Sequence, residues 1–121
     1  MRILLVGLGG FFGSILRYGM SSLVQSVAGI SFPVGTLLVN VLGCFGIGML
    51  SGISEGRGLL SPEARALLAV GLLGGFTTFS AFANETLTAW RDGAVLVAAV
   101  NVLVGVALCL AAAWAGRLLV A

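Results

Sequence analysis

Four apolar runs take up almost all of this 121-residue chain, and each is about the 20 residues that a helix needs to cross a bilayer. They run from Ile3 to about Ala28, from Val34 to about Ile53, from Ala64 to about Ala89, and from Gly93 to about Val120. None alternates with a period of two, so a strand barrel is excluded and four helices are expected. Composition agrees: 60% of the residues are hydrophobic and 8% are charged, too few charges to coat a water-soluble domain of this size. The first run is too long for the core of a cleavable signal, and no small-residue cleavage site follows it, so it is expected to stay as a span. The chain is read as one four-span transmembrane domain, residues 1–121.

The breaks between the runs are short. Gly29 to Phe32 links the first two, and Pro33 suits a helix start because its missing N–H would be unpaired there anyway. The third run is entered through Ser61-Pro62-Glu63: a capping hydroxyl, a proline at the first position and a carboxylate at the positive helix end. Arg91-Asp92-Gly93 makes a tight turn after Trp90. With four spans both ends share a face, which carries Arg2, Arg57, Arg65 and Arg117 against one or two arginines opposite, so the positive-inside rule puts the termini in the cytoplasm. Gly9 with Gly13 and Gly48 with Gly52 form small-residue pairs that let helices pack closely within the monomer.

Polar groups at membrane depth are costly unless paired or hydrated, so each is a candidate for function. In span two, Thr36, Asn40 and Gly43 share one helical face. In span three, Gly74-Gly75 followed by Thr77-Thr78 is poor helix: glycine lacks the helical bias of alanine, and threonine is restricted at χ1 and competes for backbone partners. An interruption is therefore expected between about Gly74 and Thr78. It frees carbonyls, which suit a small hard cation, and N–H groups, which suit an anion. Beyond it, Phe79, Phe82 and Glu85 fall on roughly one face, and Thr77, Ser80 and Asn84 on another. Phenylalanine edges carry partial positive charge and can flank a small anion, although such residues are more often simply core.

Arg17 lies well inside span one, where it must pair, snorkel or line a wet vestibule; Glu85 is the candidate partner. Asn101, in span four, reads first as a hydrogen bond to a neighbouring span. Cys44 and Cys109 have no CxxC pattern and no histidine, so they read as packing residues without metal or redox chemistry. Enzyme chemistry is not expected, for there is no histidine, no acid pair within a span and no nucleophile beside a base. Nucleic-acid binding lacks a basic patch.

The segments GGFFGSILRY (9–18), GTLLVNVLG (35–43) and GGFTTFSAFANE (74–85), in this order in a four-span chain, resemble the small bacterial fluoride channels of the CrcB/Fluc family. The resemblance covers the whole chain. It implies an all-α membrane protein whose third helix is broken mid-membrane. Two identical chains would insert in opposite orientations as a dual-topology dimer in the bacterial inner membrane. It also implies two fluoride pores along the subunit interface, lined by Phe79, Phe82 and Asn40, with Thr36, Thr78, Ser80 and Glu85 on the same path and Arg17 near the vestibule. A central structural sodium ion (Na+) is implied on the backbone carbonyls of Gly74 and Thr77 from each chain. The role would be passive fluoride export, conferring fluoride resistance. The arginine bias leaves open a heterodimer with an oppositely biased homologue. Span four has Gly105 and Cys109 near positions where family members often carry a hydroxyl or amide, so its polar track is weaker.

Other readings are a four-span proton-coupled multidrug exporter or a non-transport membrane scaffold subunit. The exporter needs a carboxylate within span one, where this chain has Arg17 and no acid. A scaffold would account for the glycines but not for the clustered hydroxyls and Asn40.

Overall fold

The structure, a computed structural model, describes residues 1–120. All of its regular structure is helical: α1 (Arg2–Ala28), α2 (Val34–Arg57), α3 (Pro62–Arg65), a π-helical segment (Ala66–Leu73), α4 (Gly74–Phe76), α5 (Phe79–Arg91) and α6 (Val95–Val120). Four helical units are long and apolar enough to span a membrane: α1, α2, the composite Pro62–Arg91 and α6. This matches the expected count. Helix α2 runs past Ile53 to Arg57 and ends where Gly58 adopts φ 61° and its N–H returns to the Ser54 carbonyl. Helix α6 starts at Val95, not at Gly93, because Gly93 sits at φ 83° in the preceding turn.

The third span opens as its sequence predicts. Ser61 Oγ accepts from the Ala64 N–H at 3.1 Å, Pro62 follows, and Glu63 lies in the first turn. The π-helical stretch that follows had no signal in the sequence. Its wider turns lie against the glycine face of α1, where a Cβ at Gly9 would collide with the Leu67 carbonyl and one at Gly13 with the Leu72 carbonyl. On the other side of the bundle, Gly48 packs as closely on Ala113 of α6 and Gly116 on Phe45 of α2. The small-residue pairs thus do what was expected of them, bringing helix backbones together inside one chain.

Polar contacts gather at the two ends. At one end Arg117 donates to Glu55 at 2.5 Å, Arg2 lies 3.7 Å from Glu63, and Arg65 donates to Ser54 Oγ. The chain terminus, the α2–α3 link and the end of α6 are therefore on one side. At the other end, Gln25 ties the α1–α2 link: its Nε2 donates to the Ile30 and Phe32 carbonyls and its Oε1 accepts from the Gly35 N–H. Between these ends most of the surface is apolar. Among the described residues Val39 is the one large side chain fully buried, whereas leucines, valines and phenylalanines along all four spans are exposed. Such an outside suits lipid or a second subunit, not water.

Candidate functional site: the interrupted third span

The helix stops at Thr77 and Thr78, near the middle of Pro62–Arg91, where both residues are extended (φ/ψ −87°/156° and −150°/120°). The break is narrower than the expected Gly74–Thr78, because Gly74–Phe76 completes one more turn. Thr77 closes that turn, its N–H and its Oγ1 both donating to the Leu73 carbonyl at 3.0 Å.

Asn40 of α2 holds the break open. Its Nδ2 donates to the Thr78 carbonyl at 2.9 Å, and its Oδ1 accepts from the Thr78 N–H at 2.8 Å. The side-chain amide thus satisfies both backbone groups of one peptide position, as a neighbouring strand would. Thr78 Oγ1 then caps α5 by accepting from the Ala81 N–H at 3.1 Å, and it shares a hydrogen bond with Ser80 Oγ at 3.3 Å. Two carbonyls lose their helical donors by these diversions. Thr78 N–H would have continued the ladder to Gly74 O, and Ala81 N–H to Thr77 O. Gly74 and Thr77 are the two residues whose carbonyls the family resemblance assigned to a sodium ion.

The face of α2 shared by Thr36, Asn40 and Gly43 turns as a unit towards the third span. Thr36 Oγ1 donates to Glu85 Oε1 at 2.6 Å, and Gly43 leaves room for the Thr77 methyl and the Phe76 ring. Glu85 Oε2 is buried with no hydrogen-bond partner among the described residues. Arg17 does not meet Glu85. Its Nε donates to the Gly75 carbonyl at 3.2 Å, which puts the guanidinium beside the break and leaves the carboxylate to Thr36.

Three recesses border this region. The first, about 240 Å³, is lined by Asn40, Thr77, Thr78, Phe79 and Phe82 together with Gly105, Cys44 and Cys109. The Phe79 and Phe82 rings stand 5.5 Å apart at 47°, and Phe79 is 75% exposed, so it is no core residue of this chain. Gly105 is pressed against the ring: a Cβ there would come within 2.9 Å of Phe82 Cε2. The second recess, about 610 Å³, is polar and joins Arg17 and Ser14 to Gly74, Thr77, Ser80 and Asn84. The third, about 460 Å³, lies towards the α1–α2 link and holds Glu85 with Gln25 and Asp92. Glu85 therefore leaves the line of Phe79 and Phe82 and opens on a different recess.

Asn101 is 3% exposed and donates from Nδ2 to Thr86 Oγ1 at 2.8 Å, and Thr86 donates to the Phe82 carbonyl at 2.8 Å. It is the inter-span bond expected of it, and through Thr86 it braces the backbone of a ring that faces the first recess. Thr86 and Gln25 escaped notice in the sequence. A lone amide four residues before Gly29 was a usable sign of a helix-end staple; a threonine one residue past Glu85 was not distinctive.

The profile of the family described as "CrcB-like protein, Camphor Resistance (CrcB)" matches residues 4–117. The chain is 48% identical over 119 residues to a protein of Shewanella sp. (strain ANA-3) named "Fluoride-specific ion channel FluC", covering 98% of this chain and 95% of that one. A Shewanella oneidensis protein of the same name is likewise 48% identical over the same shares, and one from Shewanella baltica (strain OS185) is 47% identical.

Proposed function

Because the chain belongs to the CrcB family, we propose that it is a fluoride-selective channel that lets the anion leave the cytoplasm by passive electrodiffusion. The observation that carries this reading is the Asn40 clamp on Thr78, which keeps a span open at its midpoint beside two phenylalanine rings. Fluoride is small and strongly hydrated, so a path through hydrocarbon has to replace water's hydrogen bonds. The clamp spends one of the two Nδ2 hydrogens of Asn40 and leaves the other. The Thr78 and Ser80 hydroxyls stand beside it, and the edges of Phe79 and Phe82 add weak positive potential without the grip of a full charge. Arg17 makes the adjoining polar recess attractive to anions. Glu85, held by Thr36, opens on the third recess towards the α1–α2 link.

One chain of four helices leaves much of this path open on its outer side, as the exposure of Phe79 illustrates. A second copy inserted upside down would cover it and give two pores related by a two-fold axis in the membrane plane. The carbonyls of Gly74 and Thr77 fit a structural sodium ion by their chemistry: they are hard neutral oxygens whose helical donors are engaged elsewhere. Contributed by both copies, they would hold it at the centre of the dimer, where it would offset the freed dipoles. Crosslinking of an introduced cysteine from each side of intact vesicles tests the dual insertion. Labelling from one side only would instead point to an oppositely biased homologue as partner.

The deciding experiment is efflux from vesicles containing the purified protein, loaded with fluoride or chloride and read by electrode. Rapid loss of fluoride with chloride retained is the expected result. Proton-driven ethidium transport would make it an exporter, and no flux at all would make it a scaffold.

A further inference from the structure

The first recess is also lined by Cys44 from α2, one turn beyond Asn40, and by Cys109 from α6, far apart in the chain. Both are free thiols, both are half-buried, and they stand at matching positions on packed helices: Gly48 lies against Ala113 and Gly52 against Arg117, and one turn before Gly48 and Ala113 come Cys44 and Cys109. We propose that they form a two-coordinate site for a soft monovalent d10 cation of the copper(I) and silver(I) class. Among the described residues no group of three His, Cys, Asp or Glu side chains comes together, which leaves no donor set for zinc or calcium. Two thiolates facing each other are, however, the full complement that a linear d10 ion takes, and soft sulfur selects such ions over hard ones. The recess gives the ion access, and the oxygens of Asn40, Thr77 and Thr78 that share its wall are hard donors, poorly matched to a soft ion.

Binding needs no redox step. Each thiol gives its proton to solvent as a sulfur–metal bond forms, and the metal keeps its charge of plus one. The neutral pair becomes a bis-thiolate complex of charge minus one on the wall shared with Phe82 and Asn40. If that recess carries fluoride, a claim that rests on the channel reading, the bound metal repels the anion and blocks it.

Silver nitrate in chloride-free medium is the probe. Silver retained per chain is read by native mass spectrometry, cysteine protection by maleimide labelling, and flux as a fraction of each protein's own silver-free rate. The expected result is one silver per chain, both thiols protected, retention that strengthens as pH rises, and loss of most of the fluoride flux. Cys44→Ala and Cys109→Ala should each lose both retention and block. Wild-type retention in either variant, or none in the parent, overturns the site; retention without block overturns the inhibition. Retention is read independently of flux, so a protein that passes no fluoride would overturn the channel reading while the site is judged on retention.

Discussion

The amide of Asn40 and the backbone of Thr78 hydrogen-bond to each other in both directions, at 2.9 and 2.8 Å. A side chain from the second span thus takes the place of the next helical turn in the third. The pairing is specific to an amide, since one end must donate and the other accept. Asn40→Asp keeps the shape and removes the donor, setting a carboxylate oxygen against the Thr78 carbonyl and adding negative charge beside the proposed anion path. Losing such a buried bond costs about 1–3 kcal/mol, so fluoride efflux is expected to fall roughly tenfold or more. Size-exclusion chromatography should still report the parent assembly; a parent rate of efflux would remove Asn40 from the path.

Gly105 leaves room for the Phe82 ring at the edge of the first recess. Gly105→Ala puts a carbon 2.9 Å from Phe82 Cε2, closer than ordinary contact, so the ring must tilt into the first recess. Since the atom displaced is the far end of a side chain, the fold should bear it. Fluoride efflux is expected to slow severalfold while the thermal unfolding midpoint moves little. A large loss of stability with unchanged flux would show the glycine to be a packing device only.

Much of this was legible in the sequence, for reasons that differ by residue. Ser61, Pro62 and Glu63 declare a helix start by local chemistry, and the start is where they put it. Asn101 is a lone amide in an apolar run, so a bond to the next span was its natural fate. The poor helix at Gly74–Thr78 announced an interruption, but local propensity could not say which peptide would open. That is decided by Asn40, 38 residues away, which captures Thr78, while Thr77 turns back to Leu73. The same limit explains Arg17. Charge alone pairs it with Glu85, whereas packing brings Thr36 to the carboxylate and the Gly75 carbonyl to the guanidinium. The π-helical stretch and the meeting of Cys44 with Cys109 depend wholly on how helices dock, and no periodicity carries them.

Thr36 is 7% exposed, and its hydroxyl donates to Glu85 at 2.6 Å, while the other carboxylate oxygen has no partner among the described residues. Thr36→Val keeps the volume and removes the donor, leaving a partly buried carboxylate with less support. Destabilisation of about 1–3 kcal/mol is expected by denaturation in detergent, with Thr36→Ser near the parent. Glu85→Gln in the valine background should recover part of the loss, because a neutral amide tolerates the site better than an unpaired charge. Equal losses with and without Glu85→Gln would show that the pair does not act as a unit.

The carbonyls of Gly74 and Thr77 give a test that needs no mutation. Their normal donors are diverted to Asn40 and to Thr78 Oγ1, so among the described residues each oxygen is left without its helical partner at membrane depth. Oxygens left so are costly unless protein, water or a cation meets them. Replacing sodium by a large organic cation during purification should lower the unfolding midpoint and the proportion of dimer, and returning sodium should restore both. Potassium should restore less than sodium, since a site of carbonyl oxygens discriminates by the fit and field it offers the ion. A dimer whose stability and fluoride flux ignore sodium altogether would assign those carbonyls to water or to the partner's backbone, and the break would then be held by the Asn40 clamp alone.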